Sequence, residues 1–411
     1  MVSFLEAQEL VLARARSFGT EDLALSLAFG RVLMGPVFAD RDYPPFPRAM
    51  MDGYALRCAD LLRGVRRFRV TETLFAGMQA GSGIGAGECF KIMTGAAVPR
   101  DADIVIRREE VEEGGGEGRE VAEGGGRERG VEVKVKGQET WRPFMNIARQ
   151  GEDLRSGEIV LEKPCRISPA VMGLLATVGM AEVAVAKLPR VALVTTGDEV
   201  VEPGGPVGPV QIRNSNRYLL SGAFSREGIS LTGGDHASDD PEALMSCLKK
   251  FLDYDILVVT GGVSAGDADH VPGVLTELGV RPLFHKMAIR PGKPTFCGVL
   301  PTGGMVFALP GNPFSCLVNF VLLIAPYLHA CWGLELSLPV SLPLREARGK
   351  RVSLDEFFPV RVEGRPAMLT QMPLNSSGDI RLAMQANALA LHPAGMGEMA
   401  GGTEVVCYSF V

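Results

Sequence analysis

The chain carries eight cysteines, and no two of them stand in a C-x-x-C spacing. That excludes a zinc ribbon, a thioredoxin-type redox pair and a cysteine-held iron–sulfur cluster. It leaves single buried thiols in a reducing compartment at Cys58, Cys89, Cys165, Cys247, Cys297, Cys316, Cys331 and Cys407. The five histidines are dispersed without an H-x-x-x-H pair, so a histidine-built metal site is not expected. Positive charge is also short. Lys and Arg number 42 against 48 Asp and Glu, a net charge of -6, which is the wrong sign for a nucleic-acid partner. No G-x-G-x-x-G follows a strand-like run and no G-x-x-x-x-G-K-[ST] occurs, which removes the dinucleotide fingerprint and the P-loop. The N-terminus has no basic segment ahead of an apolar run, so no signal peptide is expected. The most apolar stretch, Cys316 to Leu328, is too short for a bilayer and contains Asn319 and Pro326, and it reads as a buried helix. The expectation is a cytoplasmic protein with neither membrane nor nucleic acid as partner.

What is present is a core. Apolar residues make up 46% of the chain, which rules out wholesale disorder, and 411 residues predict about two to four domains. Glycine, at 50 residues, implies many tight turns or sites built from backbone. Residues 1–45 read as helix, beginning with an amphipathic segment around Phe4, Leu5, Val11 and Leu12, and then as loop up to Pro44, Pro45 and Pro47. From about 50 to 140 short β-like runs alternate with glycine. Within them, residues 111–120 and 121–130 are near-repeats of Gly, Glu and Arg that cannot assemble an apolar face and read as a mobile hairpin tip. After about 185 the pattern changes. Buried strands (RVALVTTG, DILVVTGG, MVFALPGNP) alternate with helical segments, one of them capped by Asp239 or Asp240 with Pro241 in its first turn, which predicts a parallel α/β sheet. The tail from about 335 reads as a small β domain.

In a parallel sheet, ligands bind beyond the carboxyl ends of the strands. There the sequence places Thr196-Gly197-Asp198-Glu199, then Gly261 to Gly266 with Asp267 and Asp269, then Leu309-Pro310-Gly311-Asn312-Pro313 with Ser315 opening a helix. Glycine turns running into helix N-termini expose N–H groups that suit phosphate. Glu199, Asp267 and Asp269 suit a divalent cation on that phosphate. Lys286, Arg290 and Lys293 in MAIRPGKP suit an oxyanion or polyanion.

The segments PPFPRAMMDGYAL, IMTGAAVPRDADIVIRREE, RQGEDLRSGE, TTGDEV, IRNSN, DILVVTGGVSAGDAD, IRPGKP and LPGNPFS, in that order, resemble the molybdopterin molybdenumtransferase family, the MoeA and gephyrin E-domain type. With the flanks, the resemblance covers essentially the whole chain. It implies a multidomain α/β and β fold: a central α/β (MogA-like) parallel-sheet domain at 179–330, a β-barrel-like domain inserted at 51–139, a β-rich arm from 27–50 and 140–178, and a C-terminal β domain at 331–411. An N-terminal helix within 1–26 packs on the α/β domain. The implied activity inserts molybdate into adenylylated molybdopterin, giving molybdenum cofactor and AMP, with Mg2+ as the divalent cation. A homodimer is implied, with the second subunit completing the cleft. So are a separate molybdopterin adenylyltransferase upstream and molybdoenzymes or carriers downstream.

Carried over by motif, the resemblance implies catalytic roles for Asp52, Thr94, Asp153, Glu199, Asp239 and Asp269, with Glu199 and Asp269 also at the metal. It implies substrate-binding roles for Ser264, Lys293, Pro294, Ser315, Pro310 and Pro313, to which the basic cluster adds Lys286 and Arg290. The chain departs from the family at Ala49, where Ser is usual, at Arg290, where Lys is usual, and at Pro359, where many members have Arg. Arg361, two residues on and on the same face of an extended strand, is the candidate substitute. Ser376 or Ser377 matches an oxyanion-contacting serine. A tungsten-inserting paralogue and a gephyrin-type scaffold are the alternatives, and the retained carboxylates argue against the scaffold.

Overall fold

The computed structural model describes residues 1–114, 131–137, 140–264, 269–350, 352–379, 381 and 385–410. Asp267 and most of the Gly/Glu/Arg repeat lie outside the described residues. The chain forms two compact units. One comprises Met1–Met34, Pro164–Met172 and Ala181–Val411, the other Gly35–Lys163 and Gly173–Met180.

The larger unit is built around a six-stranded sheet in the order Gly233–Ala237, Val191–Thr196, Ile256–Thr260, Met305–Leu309, Phe296–Val299, Arg281–His285. The first four strands run parallel, as the sequence predicts. The last two were not recognised as strands from sequence: Phe296–Val299 runs antiparallel to both its neighbours, Met305–Leu309 and Arg281–His285, so the sheet is mixed rather than parallel. The reason is chain length. Phe296–Val299 is joined to Met305–Leu309 by residues 300–304, whereas a parallel crossover takes about a dozen residues or more. The three inner parallel strands are buried at every position, as their unbroken apolar runs require of strands covered on both faces. Leu193, Val258 and Phe307 face a core with Phe224 and Tyr327, and Val194, Val259 and Val306 face one with Leu244, Leu248 and Leu275.

Local chemistry sets the helix starts. The Asp240 side chain accepts from Ala243 N–H at the head of Pro241–Lys249, and Asn214 accepts from Arg217 N–H at the head of Ser215–Arg226. The apolar run forms part of a continuous buried helix, Pro313–Cys331, as the sequence predicts. By length and composition it would reach across a membrane, but 67% of it is buried, and Phe314, Phe320, Leu323 and Tyr327 pack into the sheet's core. Pro326 has no N–H for the carbonyl four residues back, Leu322. A π-helical stretch, Phe320–Ile324, precedes it, and Gln8 of the N-terminal helix donates to Leu322 O at 3.2 Å.

That N-terminal helix, Phe4–Leu12, opens with a Ser3/Glu6 capping box. The expected helix does not continue. Thr20–Ala24 and Val32–Leu33 are strands of a four-stranded sheet that also holds Glu182–Ala186 and Cys165–Arg166. Pairing with segments so distant in sequence overrides local pattern there.

The C-terminal sheet runs Ile289–Arg290, Asp355–Glu363, Ala388–His392, Glu404–Ser409, Val340–Pro343, with Met368–Gln371 also on Asp355–Glu363. Its first strand comes from the IRPGKP segment, and Arg290 pairs in parallel register with Glu356. The smaller unit holds a sheet in the order Ile104–Arg107, Gly53–Leu56, Glu88–Ile92, Arg67–Leu74, Val131–Val135, Val111–Glu113, with separate cores around Phe68 and Phe90 on its two sides.

Candidate functional site

Two strand ends and the C-terminal sheet enclose a cleft of about 880 Å³ in the larger unit. Its floor is the turn after Ile256–Thr260. Gly261 and Gly262 have φ of +97° and +63°, and a Cβ on Gly261 would lie 2.5 Å from Thr196 Oγ1. Only glycine fits this left-handed, crowded turn, which delivers Ser264 to the cleft with its side chain exposed. Gly262 to Gly266 also spell the G-x-S-x-G spacing of a hydrolase nucleophile elbow. No histidine is hydrogen-bonded to Ser264 among the described residues, and the ring of His285 is directed to Val263 O at 3.4 Å. Among the described residues, then, no histidine stands as the base of such a nucleophile.

The second wall is the RPGKP loop. Arg290, Lys293 and Pro294 line the cleft with Pro291 and Gly292 between them. Their scaffold is buried and polar. Asn319, fully buried in the long helix, donates from Nδ2 to Ser315 O at 2.8 Å, and Thr295 Oγ1 lies 2.9 Å from Asn319 Oδ1 and 2.8 Å from Gly292 O. A Cβ on Gly292 would meet Asn319 Nδ2 at 2.6 Å, so the loop is seated directly on that amide. From sequence, Asn319 speaks only against a membrane span. Its isolation in an apolar run was the signal for a structural role.

The third wall is Pro310, Gly311 and Asn312 with Ser315. Asn216 of IRNSN donates to Gly311 O at 2.6 Å, and its own Oδ1 is buried without a partner. Asn312 Nδ2 donates to Ser377 Oγ at 2.8 Å, which docks the Ser376–Ser377 loop against this turn. Both serines line the cleft, as do Arg348, Glu356 and Phe358.

Of the residues singled out from sequence, the structure brings Ser264, Asp269, Arg290, Lys293, Pro294, Pro310 and Ser315 together in the cleft. Lys286 and Pro313 are not in its lining. Lys286 has φ of +75°, and its backbone bonds to Val2 and Thr295. Pro313 opens the long helix. Arg361 does not line the cleft either. It is exposed and ion-paired with Glu363 at 3.5 Å.

Glu199 and Asp239 lie outside the cleft lining but are electrostatically joined to it. Burial pushes the Asp239 carboxyl above its usual range, and the charges of Asp198, Glu199 and Asp269 push the same way, against a backbone hydrogen bond at Asp198. Among the described residues no three His, Cys, Asp or Glu side chains converge tightly enough to hold a metal ion unaided.

In the smaller unit, Asp52 and Thr94 meet. The Thr94 N–H and Oγ1 both donate to Asp52 Oδ1, at 2.7 and 2.6 Å. These bonds, side chain first, hold the Asp52 carboxyl below the usual range, and the Arg108 charge adds to them. Asp153 is exposed in a separate turn, its N–H donating to Tyr43 O at 3.0 Å.

Comparison with known proteins matches residues 2–179 to the MoeA N-terminal region (domain I and II) and residues 192–330 to a probable molybdopterin binding domain. A molybdopterin molybdenumtransferase of Synechococcus elongatus is 34% identical over 420 residues, 98% of each chain. One from Synechocystis is 31% identical over 92% of each. The crystal structure of a molybdopterin biosynthesis MoeA protein from Pyrococcus horikosii superposes with a TM-score of 0.81 at 31% identity, covering 100% of this chain and 99% of that one.

Proposed function

The chain belongs to the molybdopterin molybdenumtransferase family, and from that premise we propose that it inserts molybdenum from molybdate into adenylylated molybdopterin, releasing AMP, in molybdenum cofactor biosynthesis. The observation that carries the reading is the cleft itself, in which Arg290 and Lys293 stand opposite the glycine turn, with Asp269 leading to an acidic group.

Each wall has a task. Lys293 and Arg290 attract the molybdate dianion, and Arg290 offers two-pronged hydrogen bonds where Lys would offer a point charge. The Ser264 hydroxyl and the Pro310–Ser315 turn orient the substrate's phosphate and pterin ends. No protein nucleophile is required, because the dithiolene sulfurs reside on the pterin. The chain contributes position and field.

Mg2+ suits the acidic group. Burial, and after it the charges of Asp198, Glu199 and Asp269, hold up the proton affinity of Asp239, and a cation beside it would offset them. Mg2+ usually takes only one or two carboxylates and completes its shell with phosphate oxygens and water, consistent with a group too loose to cage a metal alone. Glu199 and Asp269 are assigned as its ligands, with Asp239 beside them. When bound, the ion supplies charge neutralisation at the pyrophosphate to be cleaved. Asp52, Thr94 and Asp153 are assigned to the site through the second subunit of a homodimer. Lys286, Pro313 and Arg361 are assigned no contact with substrate. The setting is cytoplasmic, between a separate molybdopterin adenylyltransferase and the molybdoenzymes or carriers that receive the cofactor.

The test is cofactor assembly in vitro. Adenylylated molybdopterin, Mg2+ and molybdate should give AMP and activate an apo-molybdoenzyme, and Glu199→Ala or Asp269→Ala should abolish both. AMP release with tungstate alone would make the chain a tungsten-inserting paralogue. No release with either oxyanion from a folded protein would overturn the reading.

A further inference from the structure

Arg348 lies in the cleft wall formed by the C-terminal sheet, beside Glu356 and Phe358. Its side chain is 10% exposed and that of Glu356 is 14%, with Nη2 3.1 Å from Glu356 Oε2. The guanidinium carbon stands 4.0 Å from the Phe358 ring centroid. Among the described residues Nη1 reaches only Gly349 O, at 3.4 Å, and Nε is buried with no acceptor. A guanidinium carries five donors, and here a single charged contact serves them. A buried donor left unmet is costly and needs a reason. Arg290 stands in strand register with the same Glu356, and the ion pair that the carboxylate makes is with Arg348.

We propose that Glu356 is an internal stand-in anion. It holds Arg348 against Phe358 until a tetrahedral, doubly charged oxyanion enters. Arg348 then turns its unmet donors to that anion, alongside Arg290 and Lys293. The inference rests on reading the cleft as the oxyanion site. It makes Arg348 the cation of the C-terminal sheet, the place the sequence analysis gave to Arg361, which points its charge to Glu363 instead. It also makes Glu356 a specificity residue. An incoming anion must compete with a carboxylate already in place, which favours a dianion over a monoanion.

Calorimetric binding of molybdate and of perrhenate, a tetrahedral monoanion, to the full chain tests this. Arg348→Met should weaken molybdate binding roughly tenfold to a hundredfold, the worth of one charge-assisted hydrogen bond or two. The KM for molybdate should rise while that for adenylylated molybdopterin stays. Glu356→Gln should tighten molybdate severalfold and let the tetrahedral monoanion perrhenate compete better. The double variant should behave as Arg348→Met, because the carboxylate acts only through the guanidinium. If Arg348→Met melts early, Arg348→Lys gives the reading, with charge kept and geometry lost. Wild-type molybdate affinity in a folded Arg348→Met, or weaker binding in Glu356→Gln, would overturn the proposal. Lys293→Met separates the two failures. If it loses molybdate while Arg348→Met does not, only the role of Arg348 falls. If the unmodified chain binds no molybdate, the oxyanion reading falls with it.

Discussion

Asp52 and Asp239 come from motifs of similar rank, one in each compact unit, and their surroundings push them in opposite directions. Asp52 accepts two hydrogen bonds from Thr94 and is held below the usual carboxylate range. Asp239 is partly buried among Asp198, Glu199 and Asp269 and is pushed above it. The first carboxylate is already satisfied and serves as a fixed acceptor. The second belongs to a group that is mutually repelling until something positive arrives. The difference teaches that a carboxylate within a motif does not declare its role by its identity. Its donors and its neighbours decide between a positioning contact and a cation site.

The largest effect expected from this contrast is on the cation. Glu199→Gln should raise the Mg2+ concentration needed for AMP release and cut the maximal rate on the order of a hundredfold. Asp52→Asn should lower the rate with the Mg2+ dependence unchanged. Equal shifts in Mg2+ dependence for both variants, measured by titrating the ion at saturating substrate, would erase the distinction.

Next comes the scaffold of the cleft. Asn319→Leu removes the amide on which the RPGKP loop rests, with its bonds to Thr295 Oγ1 and Ser315 O, while Thr295 Oγ1 keeps Gly292 O. It should cost about 2–3 kcal/mol in denaturant unfolding and weaken molybdate binding. Gln8→Leu, which strips only the donor to Leu322 O, should cost about 1 kcal/mol and leave molybdate binding alone.

Asp239→Asn should act in the reverse sense on stability. Because the folded state raises the pKa of Asp239, the folded chain binds its proton more tightly than the unfolded chain does. Cation-free stability therefore rises as pH falls through the raised value towards the ordinary carboxylate range. The Asn variant should melt a few degrees higher at neutral pH without Mg2+, lose that pH dependence, and gain less from added Mg2+. A variant that melts lower, read by calorimetry at neutral pH, would show that Asp239 is held by a donor rather than crowded by charge.

How far the sequence told this story depends on the range of the contacts. The strand ends carrying Glu199, Ser264 and Pro310 were legible because fully buried parallel strands write unbroken apolar runs, and glycine marks the turn that follows. The strands Arg281–His285 and Phe296–Val299 were not, since their runs are short, interrupted by Pro282 and Gly298, and antiparallel by a tight connection. Arg348 was hidden for a different reason. Its place in the cleft follows from a bridge to Met399 and from stacking on Phe358, neither of which has a local signature. The choice of Arg361 used strand periodicity correctly, but it did not anticipate that this face of the strand would carry the pairing with Glu363 rather than the cleft.

The smallest effect belongs to Thr94→Val, and it isolates the satisfied carboxylate. The backbone N–H of residue 94 remains to donate to Asp52 Oδ1, and only the hydroxyl bond is lost. The Asp52 pKa should move back up towards its ordinary value without reaching it, because the backbone bond and the Arg108 charge persist. A depressed carboxylate pKa contributes stability above the unfolded-state value, and that contribution fades as pH falls through the folded-state value. The variant should therefore be less stable than the parent at neutral pH, by the part of the shift that the hydroxyl supplied, and the two should converge as pH falls below the folded-state value. Titrating the Asp52 carboxyl by NMR in both proteins reads this directly. An unchanged pKa would mean that the backbone bond alone sets the carboxylate, and Thr94 would then have to act on the substrate rather than through Asp52.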